Sequence, residues 1–339
     1  MDGERTGGER TGGERTGGEH GDAWLAGRLR ELTGGRFAVA AAVVGPGGTV
    51  VASVGAGLGA DYEIGSVSKG VTGLLYADAL RRGEVTARTA LGALLPLADV
   101  PAGGVTLGAL ATHRSGLPRV PGSARPWRRT YALWRHGTNP YGESVVELLD
   151  QARAVRLRSP RPRYSNLGFE LLGHALAVAA GTSYERLVAD RMSTPLGLDP
   201  FYLPAGPAGL RPGALTGTTS RGRPREPWTG EALGPAGGIR ADIGSMARLT
   251  AALLDGTAPG IAALDPVVPF TTGTRIGAAW ITLRVRNLTV TMHNGGTGGF
   301  RSWLGLDRAS GTGTVVLAAT TASVDRHGFA LLAEAGARS

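Results

Sequence analysis

Strand-like segments lie at the two ends of this chain and helix-like segments fill the middle, and that order limits the possible folds more than any single motif does. Residues 36–44 and 49–55 are rich in Val and Ala, and Gly45-Pro46-Gly47-Gly48 between them is the turn signal of a hairpin. Towards the other end, residues 277–285 and 287–293 read as one hairpin, and 299–307 and 313–320 as a second. Helical periodicity marks 23–32 and 326–336 at the flanks, and 106–111, 144–152, 165–180, 184–192 and 243–254 between the strand sets. The pattern predicts an α+β fold. One antiparallel sheet of about five strands is formed by both chain ends, flanked by N- and C-terminal helices, with a mostly helical region inserted.

The expected domain runs over residues 23–339, with the sheet region near 23–65 and 275–339 and the helical region near 66–274. Two Pro/Gly/Arg-rich stretches, 114–143 and 199–235, are longer than ordinary connections and are expected to wall a cleft. Residues 3–19 repeat Gly-Glu-Arg-Thr-Gly three times and then in part. Such a repeat buries too little apolar area to offset its ordering entropy, so residues 1–22 read as a disordered tail.

Among 36 basic residues only one, Lys69, is lysine. The arginines read first as a compositional bias, which makes the surviving amine more informative. Guanidinium stays charged throughout the working pH range, whereas an amine can be tuned by burial or charge to take a proton. Lys69 stands three residues after Ser66, and both lie where Ile64-Gly65 gives way to a helical face of Val67, Val71, Leu74, Leu75 and Ala79. Residues i and i+3 share a helix side, so hydroxyl and amine can meet. A helix start also offers free N–H groups to a developing oxyanion.

Two further segments carry candidate chemistry. Tyr164-Ser165-Asn166 opens the helix expected at 165–180; its plain reading is a helix cap with a packed tyrosine, and its chemical reading is a proton relay with an amide. His293-Asn294-Gly295-Gly296 ends a predicted strand. Its plain reading is a loop with a surface histidine, and its chemical reading is a strand edge that a ligand approaches closely.

Composition removes other classes. Without cysteine there is no disulfide, thiolate metal site or cysteine nucleophile, and neither a metal nor another cofactor is called for. The net charge of +9 gathers at 114–135, 153–163 and 221–225 without the spacing of a nucleic-acid reader, so no nucleic-acid partner is expected. No apolar run reaches membrane-spanning length and residues 1–22 hold no apolar core, so the chain is expected to be cytoplasmic with no membrane partner.

Five segments occur here in one order: Tyr62-Glu63-Ile64-Gly65-Ser66-Val67-Ser68-Lys69, Leu110-Ala111-Thr112-His113-Arg114-Ser115-Gly116-Leu117-Pro118, Tyr164-Ser165-Asn166, Ala236-Gly237-Gly238-Ile239 and His293-Asn294-Gly295-Gly296-Thr297-Gly298-Gly299-Phe300. Together, over about residues 23–339, they resemble the class C β-lactamase family of penicillin-recognising serine hydrolases, whose nucleophile sits in Ser-x-x-Lys. The resemblance implies the β-lactamase/transpeptidase-like fold, with Ser66 as acylated nucleophile, Lys69 as its base and Tyr164 as proton relay. It also implies substrate binding by Asn166, His293, Asn294 and Gly295, and an oxyanion hole from the backbone N–H groups of Ser66 and Gly296.

Family β-lactamases usually carry Lys-Thr-Gly where this chain has His293-Asn294-Gly295, and His-x-Gly is common among family esterases. The leading expectation is therefore a serine acyl-transfer enzyme acting on a small ester or amide. The acyl group passes to water, as in an esterase or amidase, or to an amine or alcohol acceptor. The alternatives are a β-lactamase or D-Ala-D-Ala carboxypeptidase and, third, a non-catalytic ligand sensor.

Overall fold

A computed structural model of the protein describes residues 18–120 and 126–336. A nine-stranded antiparallel sheet runs in the order β1 (Glu19–Gly21), β3 (Gly48–Val54), β2 (Val39–Gly45), β12 (Thr312–Ala318), β11 (Arg301–Asp307), β10 (Leu288–Gly296), β9 (Ile281–Val285), β8 (Thr274–Ile276), β7 (Val268–Pro269). The two chain ends meet in its middle, where β12 pairs with β2 from Gly313 opposite Val44 to Ala318 opposite Val39. Alternation then decides what each face buries. Val39, Ala41, Trp303, Val316 and Ala318 pack with residues of helices α1 (Ala23–Thr33) and α10 (Asp325–Gly336). Ala40, Ala42, Leu304, Val315 and Leu317 face the main core with α2 (Val67–Arg81) and α9 (Ile243–Leu254).

The structure corrects the expected boundaries. The sheet has nine strands and not about five, because β1, β7 and β8 are too short for alternation to register. The segment 277–285 is strand only from Ile281; Ala279 takes a φ of 70° and its N–H donates to Ala111 O at 2.9 Å, outside the ladder. The folded body begins earlier than residue 23, since Glu19–Gly21 pairs with β3 and Asp22 caps α1 by accepting from Leu25 N at 2.8 Å. The rest of the expected tail, residues 1–17, lies outside the described residues.

The inserted region holds α3 (Leu107–Ala111), α4 (Pro126–His136), α5 (Val145–Arg153), α6 (Asn166–Ala179), α7 (Tyr184–Val188) and α8 (Gly234–Gly237). Helix α4 stands within a stretch read as loop; Pro126 at its first position suits a helix start, where no N–H is needed. A second small sheet, β4 (Tyr62–Glu63), β6 (Arg240–Ala241) and β5 (Phe201–Tyr202), also lies in this part of the fold. No helix among the described residues is long and apolar enough to cross a membrane.

Candidate active site

From β4 the chain turns through Ile64-Gly65 into α2 and leaves Ser66 at the helix N-cap. Between Asp61 and Tyr76 every residue is buried except Ser66, which is half-exposed. Two backbones touch here. Gly65 has a φ of +50°, and a Cβ on it would lie 2.7 Å from Gly296 N; a Cβ on Gly295 would lie 3.0 Å from Ser66 N and 2.2 Å from Ile64 O. Only glycine permits that approach. The hydroxyl of Ser302 on β11 donates to Ile64 O at 2.6 Å and ties the turn to the sheet. The turn closes with the N–H groups of Val67, Ser68 and Lys69, which donate to Ile64, Gly65 and Ser66 carbonyls. The end of β10 and the start of α2 therefore bring the Ser66 and Gly296 amides side by side, an arrangement suited to a developing oxyanion.

Lys69, one turn into α2, is fully buried. Its Nζ lies 3.2 Å from Ser66 Oγ and 2.5 Å from Ala236 O. It also stands 4.9 Å from the centre of the Tyr164 ring. Helix α8, which supplies the Ala236 carbonyl, is fixed to α2 by Thr72 Oγ1 donating to Pro235 O at 2.7 Å and by Ile239 N donating to Ser68 Oγ at 3.2 Å. Ala236-Gly237-Gly238-Ile239 thus serves through a main-chain acceptor, which side-chain patterns do not signal.

Two buried histidines flank this group. His293 on β10 donates from Nδ1 to Asn294 O at 2.7 Å, so its neutral ring carries a lone pair on Nε2. His113 accepts at Nδ1 from Ser165 N at 3.2 Å, so its proton sits on Nε2. Neither Nε2 has a hydrogen-bond partner among the described residues. Burial, with Lys69 nearby, depresses both rings: His293 falls to about 4 and His113 well below the usual imidazole range. His113 was not a candidate from its motif alone. It sits at a φ of 55° and stacks on Tyr164 at 4.6 Å and on Phe169 at 4.7 Å. It thereby holds the turn that presents Tyr164.

The other candidates divide. The Tyr164 ring joins Lys69 and His113. Ser165 caps α6, accepting from Gly168 N at 2.9 Å. Asn166 donates from Nδ2 to the Tyr141 hydroxyl at 2.8 Å, and its buried Oδ1 has no hydrogen-bond partner among the described residues. Asn294 stands apart. Alternation turns its side chain away from His293, and Nδ2 donates to Asp325 Oδ1 at 3.1 Å at the start of α10. Beneath the Ser66 turn, Arg240 is wholly buried between Asp61 (2.8 Å) and Glu63 (3.1 Å). Burial outweighs that ion pair at Glu63 and raises its carboxyl to about 6. A separate concavity of about 560 Å³ is lined by His174, Ala177 and Val178 from the later turns of α6, and holds none of Ser66, Lys69 or Tyr164. No group of His, Asp and Glu among the described residues is placed to hold a metal.

Comparisons with known proteins give the family and the fold. The family model described as Beta-lactamase matches residues 20–337. Over 149 residues, 42% of the chain, it is 34% identical to the D-alanyl-D-alanine-carboxypeptidase/endopeptidase AmpH of Escherichia coli K12. Over 90 residues it is 37% identical to Beta-lactamase-like protein 2 of Dictyostelium discoideum. The matched stretches span 37% and 15% of the lengths of these two relatives. In fold the chain is similar to a beta-lactamase/D-alanine carboxypeptidase of Pseudomonas syringae (TM-score 0.76, 16% identity, 93% of this chain and 97% of that one). It is similar too to a class C beta lactamase of Rhodobacter sphaeroides (TM-score 0.73, 19% identity, 92% and 98%).

Proposed function

The chain belongs to the Beta-lactamase family, whose members are serine hydrolases, and from that premise we propose that it forms an acyl-Ser66 intermediate from an ester or amide and passes the acyl group to water or to an amine or alcohol acceptor. The observation that carries this reading is the contact between Ser66 Oγ and Lys69 Nζ at 3.2 Å, with the amine buried and the hydroxyl half-exposed. Ser66 Oγ attacks the carbonyl carbon and its proton passes to Lys69. The carbonyl oxygen takes the charge against the Ser66 and Gly296 amides, each worth about 3 kcal/mol to the transition state. Collapse breaks the bond to the leaving group, which departs with the proton. In the second half, Tyr164 passes its phenolic proton to the neutral Lys69 amine and takes the proton of the incoming water or acceptor as its oxygen or nitrogen attacks the acyl carbon; the C–Oγ bond then breaks, and the proton held by Lys69 returns to Ser66 Oγ.

An ester or amide suits the site better than a β-lactam because His293, where family β-lactamases place a lysine, is neutral at physiological pH and offers a substrate carboxylate no charge. The second reading, β-lactamase or D-Ala-D-Ala carboxypeptidase, draws on the activities named for the AmpH and Pseudomonas syringae relatives. Intact-protein mass spectrometry after exposure to a fluorophosphonate, a panel of acyl esters, a β-lactam and a D-Ala-D-Ala peptide separates the two. Ester adducts on Ser66 that turn over are expected. A β-lactam adduct that turns over faster would transfer the assignment to the second reading, and no adduct with any reagent would leave only ligand binding.

A further inference from the structure

The chain's net charge is not spread over its surface. Residues 114–163 hold eleven arginines against three carboxylates, a net of +8 out of +9, and all the rest of the chain carries +1. A uniform preference for arginine would not gather the excess in one stretch. Within it, the segments around 113–119 and 156–163 are laid side by side. Arg158 N donates to Gly116 O at 3.0 Å and Arg163 N to His113 O at 2.8 Å. Arg119, Arg156, Arg158, Arg161 and Arg163 are exposed, and none has an ion-pair partner among the described residues. By contrast, Arg153 at the edge of the stretch pairs with Asp99.

This row of cations runs into the candidate site. Arg163 directly precedes Tyr164 in the chain. The Arg119 guanidinium stands 5.6 Å from the centre of the Tyr164 ring, and the same ring lies 4.9 Å from Lys69 Nζ. The Arg119 carbonyl accepts from Asn166 N at 3.1 Å, which fixes Arg119 against the start of α6. Glu143 and Glu170 line the small cleft beside Arg119.

We propose that the substrate carries two or more anionic groups, phosphate or carboxylate, on the part that faces this arginine row, with Arg119 as the residue nearest the reacting end. The proposal rests on the acyl-transfer reading and adds a substrate class to it. Guanidinium forks match phosphate and carboxylate oxygens in pairs, and five unpaired forks exceed what one carboxylate engages. One-signed charge beside a cleft also concentrates opposite charge and raises encounter rates by roughly 10- to 1,000-fold at low salt.

The test compares two fluorogenic acetates, neutral methylumbelliferyl acetate and the trianionic acetoxypyrene trisulfonate, across a salt series. Wild type is expected to favour the trianion in kcat/KM by about tenfold or more at low salt, and salt is expected to erase that preference. In Arg119→Gln, and separately with Arg156, Arg158, Arg161 and Arg163 all changed to Gln, the ratio of the two specificity constants is expected to collapse towards one. A ratio unmoved by salt or by either variant would overturn the proposal. If neither ester is turned over, the acyl-transfer reading fails on its own. The anion site is then judged by fluorescence anisotropy of hydroxypyrene trisulfonate with Ser66→Ala protein, where salt-sensitive binding lost in Arg119→Gln supports it and no binding overturns it. An oligonucleotide that occupies the row without slowing the trianionic ester would point to a nucleic-acid surface instead and would also overturn it.

Discussion

The side of the candidate site supplied by the sheet and the side supplied by the inserted region are made of different materials. On the sheet side, β10 and the Ser66 turn meet backbone to backbone, and the polar groups are amides, a carbonyl and a neutral, buried histidine. On the inserted side, polar groups sit at the tips of long exposed arginines borne on loops, with Tyr164 and Asn166 at their inner end. Main-chain donors at a close contact have one geometry and no side-chain freedom, so they suit a step common to many acyl groups. Flexible charged side chains select among substrates and are replaced without disturbing the core. On the proposed reading, chemistry and selectivity are thereby separated in space.

The largest effects are expected on the sheet side. Ser66→Ala is predicted to lower ester kcat/KM by roughly 10⁴-fold or more and to abolish fluorophosphonate labelling, and Lys69→Arg by about 10³-fold. Near-normal turnover by either variant would remove the distinction between the two sides altogether. Gly295→Ala is the sharper probe of the backbone contact, because its Cβ would fall 2.2 Å from Ile64 O. A loss of about 10²-fold in kcat with KM little changed is expected, comparable to the loss of one oxyanion donor. An equal effect on KM would show that the contact binds substrate and not the transition state.

Acid titration compares the two sides through their histidines. His293 titrates near 4 in the fold against about 6.5 unfolded, so the unfolded chain binds more protons between these values. The stability gained from keeping the ring neutral is complete above about pH 6.5 and is lost as the pH falls through 4, about 3 kcal/mol in all. His113, also depressed, adds in the same direction. Glu63, raised to about 6, acts in the opposite sense: its contribution is greatest in acid and is lost as the pH rises through 6. Melting temperature against pH in wild type and His293→Asn is expected to show a shallower acid limb in the variant. Identical limbs would mean that His293 is not the group responsible.

His113→Ala leaves the buried Ser165 N–H without an acceptor and is expected to cost about 1–3 kcal/mol of stability, together with a loss in kcat through Tyr164. His113→Asn keeps an acceptor and tolerates the positive φ, and should restore most of both. If Asn rescues nothing, the ring stacking and not the hydrogen bond positions Tyr164. The smallest effects lie at the N-terminus. Removing residues 1–17 is predicted to leave melting temperature and turnover unchanged. Removing residues 1–22 deletes β1 and the Asp22 cap and is expected to cost about 1 kcal/mol or more by chemical denaturation.

What was legible in the sequence follows the same division. The first hairpin was readable because two Val- and Ala-rich runs of seven residues flank a turn signal, and α9 was placed over 243–254 as observed. Ser66 and Lys69 were readable because a three-residue spacing on a helix dictates proximity. Short strands such as β4 and β6 carry no period to read. The Ala236 carbonyl leaves no side-chain trace. His113 was quoted in a motif without a role, since only the fold shows which ring nitrogen is engaged. The Asn294–Asp325 contact was not legible because spacing names a position but not which way its side chain turns at the strand end.

The pairing of β12 with β2 has a consequence in time. Val315 lies opposite Ala42, so the central ladder joins segments more than 270 residues apart in the chain. During synthesis the first hairpin must wait for β12, and contacts of such separation form late. Strand β10, which completes the surroundings of Ser66, is held in the sheet by β11, and β11 by β12. A ribosome-bound chain therefore carries Ser66 without the Gly296 amide beside it until β10, β11 and β12 have been made, and on the proposed reading it is idle until then.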